Sequence, residues 1–307
     1  MSEVINPKSQ IVFIGLGRGG IRTLNLLEKH TDADYVICDT DNLHLNKSNV
    51  ENKILLTYDL NYISQDSLNN FEKLMENRYI VFFVCSLGGK IGLETIPKLL
   101  AICNKLNKKT ICILSKPFQF EGVNKQKISI DSEIAIRKLA TSTIVLENEM
   151  CQTLFPDFNL SNAFHFSHRL LAQNCNYFEK IIFTPCVLSI DISDLLTVLR
   201  DSEKTVICDG RSSKPNRLYD AFQNACTHPA INSFHIDQFD KMLLHYNCPK
   251  SDTITMKEIE QDFFRIIALL PNTSIPWTFC IDEELVEGVD LILIASKSNK
   301  AVKHLLS

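Results

Sequence analysis

The chain alternates short apolar runs with segments whose apolar residues recur every three or four positions. Ile11–Ile14, Tyr35–Asp39, Lys53–Leu56, Tyr79–Cys85, Thr110–Leu114 and Thr143–Leu146 have the length and the β-branched or aromatic content of strands. Between them, Ile21–Lys29, Ser67–Asn77, Leu93–Leu106 and Lys125–Ala140 repeat at helical spacing. Strict alternation of this kind predicts parallel strands with crossover helices, an α/β doubly wound sheet. A ligand of such a sheet lies beyond the carboxyl ends of its strands.

The second half reads differently. A long helical pattern, Ser161–Ile182, follows Phe155-Pro156, with Ser161 as its expected N-cap and Pro185 beyond its end. Thr205–Cys208, Asp240–Tyr246, Pro276–Ile281 and Val289–Ala295 read as strands, and Asn216–Cys226 and Met256–Leu270 as helices. Grouped helices and clustered strands predict a smaller α+β domain. The expected organisation is residues 1–160 as a nucleotide-binding-type domain, 161–185 as a central helix and 186–307 as a carboxyl-terminal domain.

The stretch "IVFIGLGRGGIRTLN" runs from a strand through a glycine cluster into a helix. Helix-start N–H groups bind anions, and glycines let an anion approach them. Gly15, Gly17 and Gly20 have the dinucleotide spacing, and Asp39 lies where a ribose-binding acid belongs, so a nicotinamide oxidoreductase is one alternative. Arg18 and Arg22 stand inside the same turn and speak for another anion.

Composition narrows the class. The 307 residues are 45% hydrophobic and 22% charged with a net charge of −4, which leaves no basic field for nucleic acid or anionic membrane. The eleven cysteines form no C-x-x-C. Cys38, Cys85, Cys112, Cys208 and Cys280 lie in apolar runs and read as reduced core residues of a cytoplasmic protein. A polar start argues against a secretory signal, and the apolar run Tyr79–Leu87 is too short to span a bilayer.

Five stretches, in order, resemble the FtsZ/tubulin GTPase family. They are the first glycine turn; "SLGGKIGLE" at 86–94, placed like the signature GGGTGTG; "SKPFQFEG" at 115–122, close to TKPFxFEG; "LSIDISDLLTVL" at 188–199, similar to the synergy loop NxDFADVxTVM; and the closing "WTFCIDEELVEGVDLILIAS". The resemblance covers nearly the whole chain and implies a GTPase-type fold, GTP or GDP with Mg2+, and self-assembly. In the family, synergy-loop acids of one subunit complete hydrolysis on the next. Asp191 and Asp194 match those acids; three residues apart, they also read as an ordinary acidic helix start. The resemblance assigns nucleotide contacts to Gly17, Gly19 and Gly20, to Gly88 and Gly89, to Glu121 and Lys125, and to Asn148 and the base-stacking Phe164.

Departures from the pattern gather on the nucleotide side. Arg18 and Arg22 replace a glycine and an asparagine, and Lys90, Ile91 and Glu94 break the small-residue run after Gly89. The interval between Leu56 and Tyr79, where the family has a glycine-rich γ-phosphate loop, contains no glycine. Asp59 and Asp66 there read as turn or cap residues. Arg169 stands where an acid would read guanine, and His165 and His168 read as exposed helix histidines rather than metal ligands. The cations Arg18, Arg22 and Lys90 either bind phosphates directly or fill an altered pocket.

The expected protein is a divergent, cytoplasmic, FtsZ-like self-assembling protein with a degenerate GTP site and weak or lost hydrolysis. Its expected partner is itself, as an oligomer or filament, or a conventional FtsZ, without nucleic acid and without a direct membrane anchor. A non-hydrolysing interaction module is the alternative, and the oxidoreductase a more distant one.

Overall fold

The computed structural model describes residues 10–27, 32–59, 62–213, 215–231 and 235–298. The expected helix end at Lys29, the polar first residues and the end at Ser307 lie outside them. Two compact units divide the chain, residues 1–176 and 177–307.

In the first unit, strands β1 (Ile11–Leu16), β2 (Asp34–Asp39) and β3 (Asn52–Leu55) are followed by the short strands β4 (Tyr58–Asp59) and β5 (Tyr62–Ile63). Strands β6 (Ile80–Ser86), β7 (Lys109–Lys116) and β8 (Ser142–Glu147) complete it. The helices are α1 (Gly17–Leu24), α2 (Asn42–Asn46), α3 (Gln65–Met75), α4 (Ile96–Lys105), α5 (Val123–Arg137) and α6 (Cys151–Leu154). The sheet order is β3-β2-β1-β6-β7-β8, with every neighbouring pair parallel. That is the expected doubly wound sheet.

All of "IVFIGL" in β1 and "IVFFVC" in β6 is buried. Helices on both faces of a parallel sheet explain why these strands are continuously apolar instead of alternating. The chain leaves β1 toward β2 and β3, then returns to the other side of β1 with β6. The carboxyl ends of β1 and β6 therefore flank the switch point at which such sheets bind ligands.

The glycine-free interval 57–78 folds as an antiparallel pairing of β4 with β5 and then as α3. Ser64, not Asp66, caps α3: its hydroxyl accepts from the Ser67 N–H. Asp66 sits in the first helical turn, and Asp59 lies in β4.

The long helix α7 (Ala163–Phe183) contains the boundary between the units. It starts later than Ser161, because the Phe166 N–H bonds to the Asn162 carbonyl while Ser161 is held in a turn by Asn159.

In the second unit, β9 (Cys186–Leu188), α8 (Ile192–Leu199), β10 (Ser202–Ser212), α9 (Arg217–Cys226) and β11 (Lys241–Cys248) are followed by α10 (Met256–Glu258), α11 (Phe264–Leu269), β12 (Trp277–Ile281) and β13 (Val289–Ser298). The sheet order is β10-β13-β11-β12-β9, mixed in direction, over a core that includes Phe222, Phe239, Tyr246 and Leu293.

The helix expected at Met256–Leu270 is interrupted by a π-helical turn, Ile259–Phe263. Asp262 in this turn is 1% exposed and lies near the backbone N–H groups of Leu218 and Tyr219, at the start of α9, which has no side-chain cap hydrogen bond. Burial raises the Asp262 pKa, opposed by those N–H groups and by Arg265. Among the described residues no helix is long and apolar enough to cross a membrane.

Candidate functional site

Helix α1 begins at Gly17, directly off β1, and no side chain caps it. Gly17 has φ +67°, a conformation that glycine adopts without steric cost. A Cβ on Gly20 would stand 2.3 Å from the Val84 carbonyl oxygen in β6, and one on Gly15 2.7 Å from the Gly20 oxygen. These two glycines let α1 pack hard onto β1 and β6. A Cβ on Gly19 would meet Ser86 instead, at 2.4 Å from its Oγ. Gly89, in the second turn, would have nothing within 4 Å of an added Cβ. It is the open glycine of the pair Gly88–Gly89, since Gly88 is buried, has φ +94° and packs near Lys125.

Arg18 and Arg22 both project from α1 into solvent. Arg18 Nε donates to His44 Nε2 at 3.1 Å, and His44 Nδ1 lies 2.8 Å from Asp39 Oδ2. With a proton on Nδ1 the imidazole donates to the carboxylate and accepts from the guanidinium. The other Asp39 oxygen accepts from the Thr40 and Asp41 N–H groups, and the residue is 4% exposed. Asp39 is therefore engaged in orienting His44 and is unlike a free ribose-binding acid, which removes the main support for the nicotinamide reading. His44 was missed in the sequence because its partners lie 5 and 26 residues away.

Lys90 precedes a π-helical turn, Ile91–Thr95, at the head of α4. Its Nζ lies 3.6 Å from Glu94 Oε2 and 4.7 Å from the centre of the Tyr58 ring, while the Tyr58 hydroxyl bonds Thr95 Oγ1. The β4 strand thus leans on the second glycine turn.

Glu121 and Lys125 form an ion pair at 3.0 Å, and Glu121 Oε1 also accepts from the Phe118 N–H at 2.9 Å. Asn148 is 3% exposed, with its Oδ1 accepting from Ser167 Oγ at 2.6 Å. Phe164 is 45% exposed and meets Phe118 and Phe120 edge to face, at 5.9 and 6.2 Å between ring centres. Phe120 is exposed as well, so two ring faces stand open on one cluster.

Arg169 lies over Phe155 and Phe166, at 5.2 and 5.4 Å from their ring centres. His165 is exposed as expected, but His168 is buried at 8% exposure, which corrects that expectation. Burial, with the charges of Arg22 and His165, pushes its pKa down to about 4, so it is neutral near pH 7. An i, i+3 pair on a helix can place one member inward when the apolar stripe turns past it.

Asp191 is the N-cap residue of α8, without a side-chain cap hydrogen bond, and its N–H donates to the Asp194 carboxylate at 3.3 Å. Both are exposed. This capping-box arrangement accounts for the spacing of the two acids and leaves oxygens open to solvent.

A fit to GTP is partial. The uncapped start of α1, Arg18, Arg22 and the open Gly89 suit phosphates, and the exposed Phe164 and Phe120 suit a base. The ribose and γ-phosphate positions do not fit, because Glu121 is tied to Phe118 and Lys125, and Lys90 to Glu94 and Tyr58.

A parallel doubly wound sheet with two glycine turns at its switch point, followed by a long helix and a mixed-sheet unit, defines a GTPase-type α/β fold. Residues 10–155 match the family model for the Tubulin/FtsZ family, GTPase domain. The cell division protein FtsZ of Porphyromonas gingivalis is 24% identical over 303 residues, covering 93% of this chain and 66% of the relative, so the chain spans about two thirds of that relative's length. The structure is similar to an FtsZ mutant from M. jannaschii, at TM-score 0.82 and 23% identity, covering 94% of this chain and 91% of the other. It is also similar to a GTPγS-bound protofilament of CetZ2 from Haloferax volcanii, at TM-score 0.75 and 13% identity, covering 97% and 96%. The chain thus resembles FtsZ proteins at low identity over most of its length, with residues 10–155 matching the Tubulin/FtsZ GTPase domain.

Proposed function

We propose that this chain is a self-assembling FtsZ-like protein with a degenerate guanine-nucleotide site, binding GTP weakly and hydrolysing it slowly or not at all. The observation that carries this reading is the engagement of Lys90 with Glu94 and with Tyr58, the latter from the interval 57–78, which contains no glycine to fold over a γ-phosphate. The cations Arg18 and Arg22 would meet phosphates at the start of α1, and Phe164 would stack on the base. Bound Mg2+ would come with the nucleotide phosphates, whose charge it neutralises. Asp191 and Asp194 would reach the nucleotide face of a neighbouring copy and orient a water there. The site would work in the cytoplasm, where guanine nucleotide is supplied, and a conventional FtsZ is the other fitting neighbour.

One observation favours a second reading. The exposed acids at α8 and the cations at α1 and Lys90 are complementary in charge, so copies would pair without any nucleotide. Nucleotide content of the purified protein, phosphate release with magnesium at high protein concentration, and sedimentation with and without GTP test both. Turnover at least roughly tenfold below a conventional FtsZ is expected, from the missing charge stabilisation at the γ-phosphate. Turnover equal to such an FtsZ would overturn the degenerate-site reading. Assembly that occurs only with GTP would overturn the second reading.

A further inference from the structure

Strand β9 is held to its sheet by little besides a covalent bond. Its three residues pair with β12 at Phe279↔Leu188 and Cys280↔Cys186, with an irregularity between the two. Val187 is 67% exposed and Leu188 42%, so burial contributes little. A disulfide joins Cys186 to Cys280, which corrects the expectation of a reduced Cys280. The other nine cysteines are free, eight of them buried, and burial raises the pKa of Cys85, Cys103, Cys151 and Cys226 to about 12. Those thiols are poor nucleophiles.

The two bonded sulfurs differ sharply in access. Cys280 is fully buried. Cys186 lines an open cavity of about 560 Å3 with Pro185, Val187, Lys250, Ile281 and Glu283. Lys250 and Glu283 line this cavity with one charge of each sign. Behind Cys280, His245 is 0% exposed; its Nδ1 lies 3.9 Å from Cys280 Sγ and 2.6 Å from Thr278 Oγ1. The donor atoms of Cys186, His245 and Cys280 lie within 4.8 Å of one another, yet two sulfurs bonded to each other offer no thiolate to a metal ion.

We propose that the Cys186–Cys280 bond is a thiol-exchange site, attacked at Cys186 by a low-molecular-weight thiol, whose opening unclasps β9 and loosens the Asp191–Asp194 turn. The incoming thiolate forms a new S–S bond with Cys186 Sγ while the Cys186–Cys280 bond breaks, its electron pair remaining on Cys280 Sγ. The proton given up by the incoming thiol is taken by that sulfur, which lies 3.9 Å from His245 Nδ1. A second thiol molecule attacks the adduct sulfur, releasing the small-molecule disulfide and a free Cys186 thiol. Two thiols are oxidised and one protein disulfide is reduced. Ser189 and Ile190 alone separate β9 from the capping box, so freeing β9 frees the N-cap of α8.

The test uses the full chain purified without reductant. It is pulsed with glutathione, quenched in acid, alkylated under denaturing conditions and mapped by peptide mass spectrometry. The glutathione adduct is expected on Cys186 over Cys280 by at least about tenfold, following access to the attacked sulfur. Amide exchange at residues 186–194 is expected to accelerate about tenfold on reduction, with β11 and β13 unchanged. A double variant, Cys186→Ser with Cys280→Ser, should exchange fast at 186–194 without thiol and should not respond to it. Adduct equally on both cysteines, absence of the disulfide in the unreduced protein, or unchanged exchange on reduction would each overturn the proposal. If the double variant does not fold, the wild-type adduct ratio and exchange decide. Neither readout involves nucleotide or assembly, so their failure leaves the proposed function standing.

Discussion

Gly20→Ala separates two reasons for keeping a glycine turn. The added Cβ would stand 2.3 Å from the Val84 carbonyl oxygen and 2.8 Å from Gly15 C, where real Cβ contacts essentially never fall below 3.0 Å. Both obstacles are backbone, one of them in β6, which pairs with β1 and β7 on either side. Relief requires α1 to lift from the sheet. Overpacking of this kind costs about 1–3 kcal/mol and sometimes more, while alanine in place of glycine within a helix gains about 1 kcal/mol. With the obstacle a rigid strand in the middle of the sheet, the upper end of that cost applies, and the net loss is expected at about 2 kcal/mol. Gly89→Ala meets nothing within 4 Å and has no positive φ, so it should change stability by less than about 0.5 kcal/mol. Gly19→Ala should also destabilise, because rotating the Ser86 hydroxyl away still leaves the Ser86 Cβ 2.7 Å from the added methyl. Urea unfolding followed by circular dichroism reads all three, as a shift in midpoint at constant slope. Equal midpoints for Gly20→Ala and wild type would refute the packing argument. Loss of nucleotide affinity in Gly89→Ala, with stability intact, would mark Gly89 as the glycine kept for a ligand.

Three further outcomes follow from the same geometry. His168 and His245 have pKa values pushed down to about 4, by burial first, from an ordinary 6.5; the unfolded chain therefore binds more protons between those values. Stability is thus complete above pH 6.5 and falls as pH drops toward 4, by at most roughly 3 kcal/mol per histidine, and a flat profile from pH 7 to 4.5 in urea titrations would contradict this. Arg169→Asp should raise the preference for GTP over ATP by roughly tenfold or more, as a restored charge-assisted pairing to the guanine edge would; calorimetry with both nucleotides checks it, and an unchanged ratio rejects Arg169 as the base-reading position. Asp194→Lys should weaken nucleotide-free self-association by about 2–5 kcal/mol, with partial rescue by Lys90→Glu, and sedimentation showing no rescue would reject that pairing.

The parallel sheet was legible because its strands are buried on both faces and so stand out as unbroken apolar runs between helical periods. The second unit was legible in its strands but less so in its breaks. Nothing in Met256–Leu270 announces that Asp262 turns inward beside the start of α9, because the two are far apart in sequence. The disulfide was illegible for a similar reason. Cys186 and Cys280 are 94 residues apart, and only strand register makes them neighbours. His168 looked exposed because the polar residues around it dominate the pattern, whereas its burial depends on what packs over that turn of α7.

Within the glycine turns, the motif spacing reports the fold more directly than the ligand. Gly15 and Gly20 are required by the approach of α1 to β1 and β6, whatever occupies the crevice. A chain that lost its nucleotide would still keep them, since replacing Gly20 costs stability before it costs binding. Evidence about the ligand must come from positions that packing leaves free, namely Gly89 and the exposed Arg18, Arg22 and Phe164. Of these, Arg18 is the most informative. It carries a cation at the second position of a helix whose first turn has no acid, where the helix dipole disfavours positive charge. His44 and Asp39 nevertheless hold it there, with Asp39 buried and its oxygens fully engaged in the arrangement. Under the proposed function, such an investment of buried polar groups in a dipole-opposed cation would serve an anion at the start of α1. That anion would be the phosphate of a weakly held nucleotide in one reading and a carboxylate of the next copy in the other.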